Sequence, residues 1–348
     1  MKILMRTDAS VQSGVGHVVR CLTLADGLKS NGHTVEFICK NVDGNLIDLI
    51  EKRGFLAYVI ANSSDADRKF NWEDDVKEVK KLILANGIYD WIVVDHYLLD
   101  FRWELLIKNH CKKLMVIDDL ANRNHSCDLL LDQNYEDKSR YNDLVGDACK
   151  KLLGPKFALL NEAYAKVRAL RQNPRATISR VFIFFGGSDL YNLTERSLSA
   201  LCIDELNSIF VDIVIGPSYV HYESLRLLAE RRGRTIIHTQ IPHLATLMAA
   251  ADIAIGAGGV TNWERICVGV PSIIISVAEN QELIAQILHQ KGIVNYLGRY
   301  DRVSVDAIFF ALKSEINNSY LLGKISEAKK LCDGLGVTRV IQNMNTIW

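Results

Sequence analysis

Apolar residues in the first part of the chain alternate between short dense runs and longer stretches where they recur every three or four positions. The run at 2–6 predicts a strand. After a polar, glycine-containing loop, Val18, Cys21, Leu22, Leu24, Ala25 and Leu28 mark one face of a helix over about 17–31, which Gly32 ends. The pattern continues with a strand at 34–38, a helix near 46–53, a strand near 57–60, a helix at about 72–86 and the run 91–94, which ends in Asp95. Two further short runs, 113–117 before Asp118-Asp119 and 129–131 before Asp132, keep the rhythm. Strands that alternate with helices imply a parallel sheet. The polar residues just past the strand ends mark its carboxyl edge, where open α/β sheets hold ligands.

The same alternation restarts after 159–175, a helical and then charged stretch containing Pro174. Strands are predicted at 180–185, 208–215, 235–238, 252–255 and 272–277, with a helix at 192–202. The expected fold class is therefore α/β, with two Rossmann-like domains, 1–170 and 176–348, facing one another across a cleft. A last helix, about 325–347, fits against either half.

Composition narrows the function. The chain has 348 residues, 49% hydrophobic and 24% charged, with 22 glycines and 5 prolines, which excludes a collagenous or disordered chain and allows two sizeable cores. With 41 basic and 41 acidic residues the net charge is zero, so no electrostatic argument favours nucleic acid or an anionic membrane, and small-molecule chemistry is expected. The N-terminal apolar stretch is too short for a signal peptide, and no run approaches the roughly 18 residues of a membrane helix, so a cytoplasmic protein is expected. Eight cysteines without a CxxC pair, and histidines without HExxH spacing, predict no metal site.

Three loops carry candidate chemistry. The first, from Arg6 through Asp8, Ser13, Gly14 and Gly16 to His17, joins a buried strand to a helix start; its glycines admit a ligand to the backbone, and the helix amides attract anions. Its GxG is incomplete as a dinucleotide fingerprint, and a capping or packed His17 is the structural alternative. The second loop contains Gly187, Ser188 and Asp189, where a hydroxyl and nearby amides suit a diphosphate oxygen, although a GG turn alone is commonly only a turn. The third, an apolar strand running into Gly258-Gly259 and a helix, suits a diphosphate, with Glu264 placed for ribose hydroxyls or as an ordinary acid near a helix start. Asn280 and Gln281 follow the 272–277 strand and suit sugar hydroxyls or amides, a helix cap being the alternative for Asn280; Tyr97 follows the 91–94 strand beside His96.

The segments RTDASVQSGVGHVVRCLTLA (6–25), VVDHYLLD (93–100), IDDLANRNHSCDLLLDQN (117–134), LLGPKFALL (152–160), FGGSD (185–189) and IGAGGVTNWERICVGVPSIIISVAENQ (255–281) together resemble the PseG-type nucleotide-sugar hydrolases of pseudaminic acid biosynthesis, relatives of the MurG-like glycosyltransferases. The resemblance covers about residues 1–290 and implies a two-domain GT-B fold. It further implies hydrolysis of UDP-2,4-diacetamido-2,4,6-trideoxy-β-L-altropyranose by inverting water attack at the anomeric carbon, with no cofactor. By the same resemblance His17 is the base, Glu264 the ribose-binding acid, Gly258, Gly259 and Ser188 diphosphate contacts, Asn280 a sugar contact, and Gln240-Ile241 the uracil segment. Asp8, Gly14, Gly16, Tyr97, Gly187 and Gln281 complete the expected substrate-binding set. The alternatives are a MurG-like glycosyltransferase using a UDP-amino-sugar donor and a non-catalytic nucleotide-sugar-binding module.

Overall fold

Lys2–Thr7 forms β1 because all but its first residue are buried, and it has a neighbouring strand on each side; only a fully covered parallel strand has that pattern. The computed structural model describes residues 1–11, 14–60, 70–134, 137–171, 177–239, 241, 243–318 and 320–347. Ser13, Pro174 and Gln240, singled out in the sequence, lie outside the described residues.

The chain divides into two units, Met1–Leu159 with Leu335–Trp348, and Leu160–Gly334. In the first unit β2 (Thr34–Lys40), β3 (Leu56–Ile60), β4 (Tyr89–Asp95), β5 (Cys111–Ile117), β6 (Leu129–Asp132) and β7 (Lys150–Leu153) join β1 in a sheet of order β3-β2-β1-β4-β5-β6-β7. Every pairing is parallel. Helices α1 (Gly16–Ser30), α2 (Ile47–Lys52), α3 (Trp72–Asn86) and α4 (Phe101–Lys108) connect the strands. Side chains alternate along each strand, so Ile3, Met5, Trp91 and Val93 pack with α1 on one face, while Leu4, Ile92 and Val94 pack with Val76 and Val79 of α3 and Trp103 of α4 on the other.

In the second unit, α5 (Glu162–Leu170) precedes β8 (Arg180–Phe184), α6 (Leu193–Ala200), β9 (Phe210–Ile215), α7 (Tyr222–Arg232), β10 (Thr235–Thr239), α8 (Ala245–Ala250) and β11 (Ile253–Ala257). Then follow α9 (Val260–Val268), β12 (Ser272–Ser276), α10 (Glu282–Gln290), β13 (Asn295–Arg299), α11 (Val305–Asn318) and α12 (Tyr320–Leu331). This sheet has the order β10-β9-β8-β11-β12-β13, again all parallel. Central β11 and β12 are buried at every residue, whereas edge strands β10 and β13 are half open, as expected for a sheet covered on both faces.

The division differs from the expected 1–170 and 176–348 at both ends. Helix α5 packs on α8 and α9 and so joins the second unit. The expected single helix over 325–347 is broken: α12 ends at Leu331, and α13 (Gly336–Ile347) returns to the first unit. Val340, Ile341 and Met344 of α13 join the α1 core, and Gly27 of α1 lies so close to Val337 that a β-carbon there would collide with it. Apolar periodicity shows that a helix has a buried face; it does not show which core receives it.

Candidate functional site

In each sheet the strand order reverses once, between β1 and β4 in the first and between β8 and β11 in the second. Loops leaving the carboxyl ends of two such strands diverge and open a crevice. At the first switch point Thr7 is in register with Asp95, so the chain ends of β1 and β4 stand side by side. Helix α1 begins there without a side-chain cap and without an acid in its first turn.

His17 and Arg20, three residues apart on one face of α1, both reach Asp95, which is fully buried. His17 Nδ1 lies 2.6 Å from Asp95 Oδ1; Arg20 donates from Nε to Oδ2 and from Nη2 to Oδ1, both at 2.6 Å. Burial alone would raise the Asp95 carboxyl, but the charges of Arg20 and then His17 outweigh it and hold the group well below the ordinary carboxylate range. An ionised Asp95 can accept a proton from Nδ1, which Arg20 Nη2 also approaches at 3.2 Å, and Nε2 is then the ring nitrogen left to act on a ligand. The bracing continues outward. Arg20 Nη1 donates to Asp119 at 2.9 Å, the Tyr97 hydroxyl donates to the same carboxylate at 2.8 Å, and the Tyr97 ring stands edge-on to His17 with centroids 4.4 Å apart. Burial and Asp119 push the Tyr97 phenol upward, so it stays a donor.

Of the other expected first-unit residues, Gly16 is exposed with open space where a β-carbon would stand, and Gly14, at φ 74°, pairs its amide with the Ser10 carbonyl at 2.9 Å. Asp8, expected among the substrate contacts, is held within the loop after β1. Its oxygens accept from Arg6 Nη1 and Nη2 at 2.6 and 2.8 Å and from the Lys40 amide at 2.7 Å, and His96 Nε2 lies 3.2 Å away. Asp8 thus fastens the β1 loop to β2. The sequence reading missed Asp95, Arg20 and Asp119 as site residues. An arginine inside the apolar face of α1, and acids directly after two strands, were the available signals.

At the second switch point two helix starts behave differently. Before α6, Asp189 accepts the amides of Leu193 and Thr194 at 3.0 and 2.8 Å, so that helix start is already capped. Gly187 packs against Gly216, joining the loops after β8 and β9, while the Ser188 hydroxyl has no partner among the described residues. Helix α9 starts at Gly259, whose φ of 82° favours glycine, with no side-chain cap and no first-turn acid, so its amide end stays open to an anion. The Gln281 side chain lies over this turn: it would be 2.9 Å from a β-carbon on Gly258, and its Oε1 accepts the Val277 amide at 3.1 Å.

Glu264, one turn into α9, is hydrogen-bonded to Tyr164, and its buried Oε2 has no partner among the described residues. Burial pushes its carboxyl up to about 7 despite the opposing effects of Tyr164 and Arg265. A carboxyl raised in this way, with one unsatisfied oxygen among the described residues, suits a ligand hydroxyl. Asn280 is exposed in the turn after β12, and Ile241 follows edge strand β10, which β9 and β8 separate from β11. Among the described residues no group of three or more His, Cys, Asp or Glu side chains has metal-binding geometry, and no helix is long and apolar enough to cross a membrane.

No family model matches the chain. It is 28% identical to the UDP-2,4-diacetamido-2,4,6-trideoxy-beta-L-altropyranose hydrolase of Campylobacter jejuni, over 84% of this chain and 97% of that one. It is 25% identical to the spore coat polysaccharide biosynthesis protein SpsG of Bacillus subtilis, over 98% and 96% of the two chains. An uncharacterised protein of Methanocaldococcus jannaschii is 27% identical over 81% of this chain, which spans only 57% of that relative's length. Among solved structures, Acinetobacter baumannii MurG superposes with a TM-score of 0.70 at 15% identity, covering 99% of both chains. A Medicago truncatula protein complexed with UDP-glucose superposes at 0.65 with 14% identity, covering 99% of this chain and 98% of its own. The chain is therefore similar to a PseG-type hydrolase and to SpsG, and its pair of parallel-sheet Rossmann-like units has the fold of MurG-like GT-B glycosyltransferases.

Proposed function

We propose that the chain processes a UDP-sugar in sugar biosynthesis, and that it hydrolyses UDP-2,4-diacetamido-2,4,6-trideoxy-β-L-altropyranose to UDP and the free sugar. The observation that carries the hydrolytic reading is the His17–Asp95 pair at 2.6 Å, which leaves Nε2 of a neutral imidazole as a general base. The likeness to the C. jejuni hydrolase over nearly its whole length supports the choice of substrate.

In this mechanism His17 Nε2 takes a proton from water as its oxygen forms a bond to the anomeric carbon and the carbon–oxygen bond to the diphosphate breaks. Asp95 stabilises the resulting imidazolium. The electron pair leaves with UDP, whose growing charge is met by the open amides of α9, while the Glu264 Oε2 engages the ribose. A diphosphate is already a good leaving group, so the second carboxylic acid of ordinary glycosidases is not required. Attack opposite the leaving group gives inversion.

The test is UDP release from this UDP-sugar, with chelator present and no acceptor, followed by NMR of the sugar. Release of UDP with an inverted free sugar is the expected result. Release only when an acceptor hydroxyl is added would replace the hydrolase reading with a glycosyltransferase; tight binding without turnover would leave a binding module.

A further inference from the structure

We propose that a recess at the carboxyl end of α9 binds a small soluble molecule carrying a phosphate or diphosphate group. The recess encloses about 460 Å³ and is lined by Arg168, Arg171, Lys329 and Lys330, with Leu322 and Ile325 as apolar wall and no carboxylate in its lining. That volume lies in the range of small-molecule sites and exceeds what one inorganic phosphate fills. It is separate from the start of α9 discussed above, because the nine residues of that helix hold its two ends about 13 Å apart.

Three elements of the second unit bring these cations together. Helix α9 ends at Gly269, and the Lys329 stem of α12 lies across it, its Cδ 2.8 Å from where a β-carbon would be. Arg168 Nη1 donates to the Cys267 and Cys332 carbonyls at 3.0 and 3.1 Å, and Arg171 donates to the Met248 and Ala251 carbonyls at 2.9 and 2.8 Å. These bonds account for two arginines as caps on helix carboxyl ends. They leave donors over, since among the described residues Arg168 uses only Nη1 of a guanidinium with five N–H groups. Lys329 and Lys330 have no ion pair among the described residues. Burial, followed by the charges of Arg168 and Arg171, pulls the Lys329 ammonium below its ordinary value, and Asp252, which opposes this at Arg171, does not line the recess. A bound oxyanion removes that repulsion and supplies acceptors for donors whose positions are already set.

The inference does not depend on the proposed activity. The experiment is calorimetric titration of the full chain with inorganic pyrophosphate, with UDP at saturating concentration, comparing the parent with the double variant Lys329→Gln, Lys330→Gln. The parent is expected to bind, and the variant to bind about tenfold or more weakly, while its circular dichroism and its affinity for UDP stay at parental levels. Equal affinity in both proteins would overturn the proposal, as would no binding to the parent at millimolar pyrophosphate. Flotation with phosphatidylglycerol vesicles forms the second arm. Recruitment of the parent but not the variant, without pyrophosphate binding, would assign the recess to a lipid headgroup and overturn the soluble ligand.

Discussion

The two switch points of this molecule solve opposite electrostatic problems. Around His17 the charged neighbours are committed: Asp95 is buried between His17 and Arg20, and Arg20 is tied in turn to Asp119. Among the described residues, the backbone amides at the start of α9 meet no capping side chain and no first-turn acid, and the Glu264 Oε2 has no partner. A base must be held in one tautomer and orientation before its substrate arrives, which requires a full set of partners. An anion cradle must keep its donors unoccupied until then. Helix α6 gives the control within the same sheet, because Asp189 fills its amide end.

The largest expected effect comes from removing the base. His17→Asn should lower turnover by about 10²–10⁴-fold while UDP affinity, measured by calorimetry, stays within about twofold. A variant with parental turnover would remove His17 from the mechanism and reduce the first switch point to a structural ion cluster.

Asp95→Asn sharpens the same side. The amide can present its NH₂ to Nδ1 and favour the wrong tautomer, so kcat should fall about 10–100-fold at little change in KM, with the pH–rate profile altered. Unchanged kcat in a folded variant would mean that Asp95 serves only Arg20.

The smallest effect belongs to the second side. Glu264→Gln should weaken UDP about tenfold and weaken 2′-deoxy-UDP less, because part of the loss is the ribose contact. The same variant tests burial. A carboxyl raised from 4.5 to about 7 contributes stability below its unfolded value, and that contribution is lost as pH rises toward 7. The parent should therefore lose up to roughly 3 kcal/mol between pH 4.5 and 8 from this group, and Glu264→Gln should flatten the loss in thermal melts. Parallel melting curves for the two proteins across that range would exclude a strained carboxyl.

The alternation of short apolar runs with helical periodicity, read from residue order alone, determined that there would be two series of parallel strands, because a strand buried on both faces must be apolar throughout. It also placed His17, Gly258-Gly259 and Glu264 just beyond strand ends, since strand-to-helix loops are local. Tertiary structure decided the rest. Asp95 meets His17 across 78 positions only because β4 pairs with β1. Whether a helix start is open depends on which acid reaches it first: Asp189 reaches α6, and none reaches the first turn of α9. The core that receives α13 is likewise set by the fit of Val337 against Gly27 and not by the pattern of the helix. Periodicity along a chain says which positions seek burial. Partners distant in sequence are chosen by the packing of one surface on another, which no local pattern encodes.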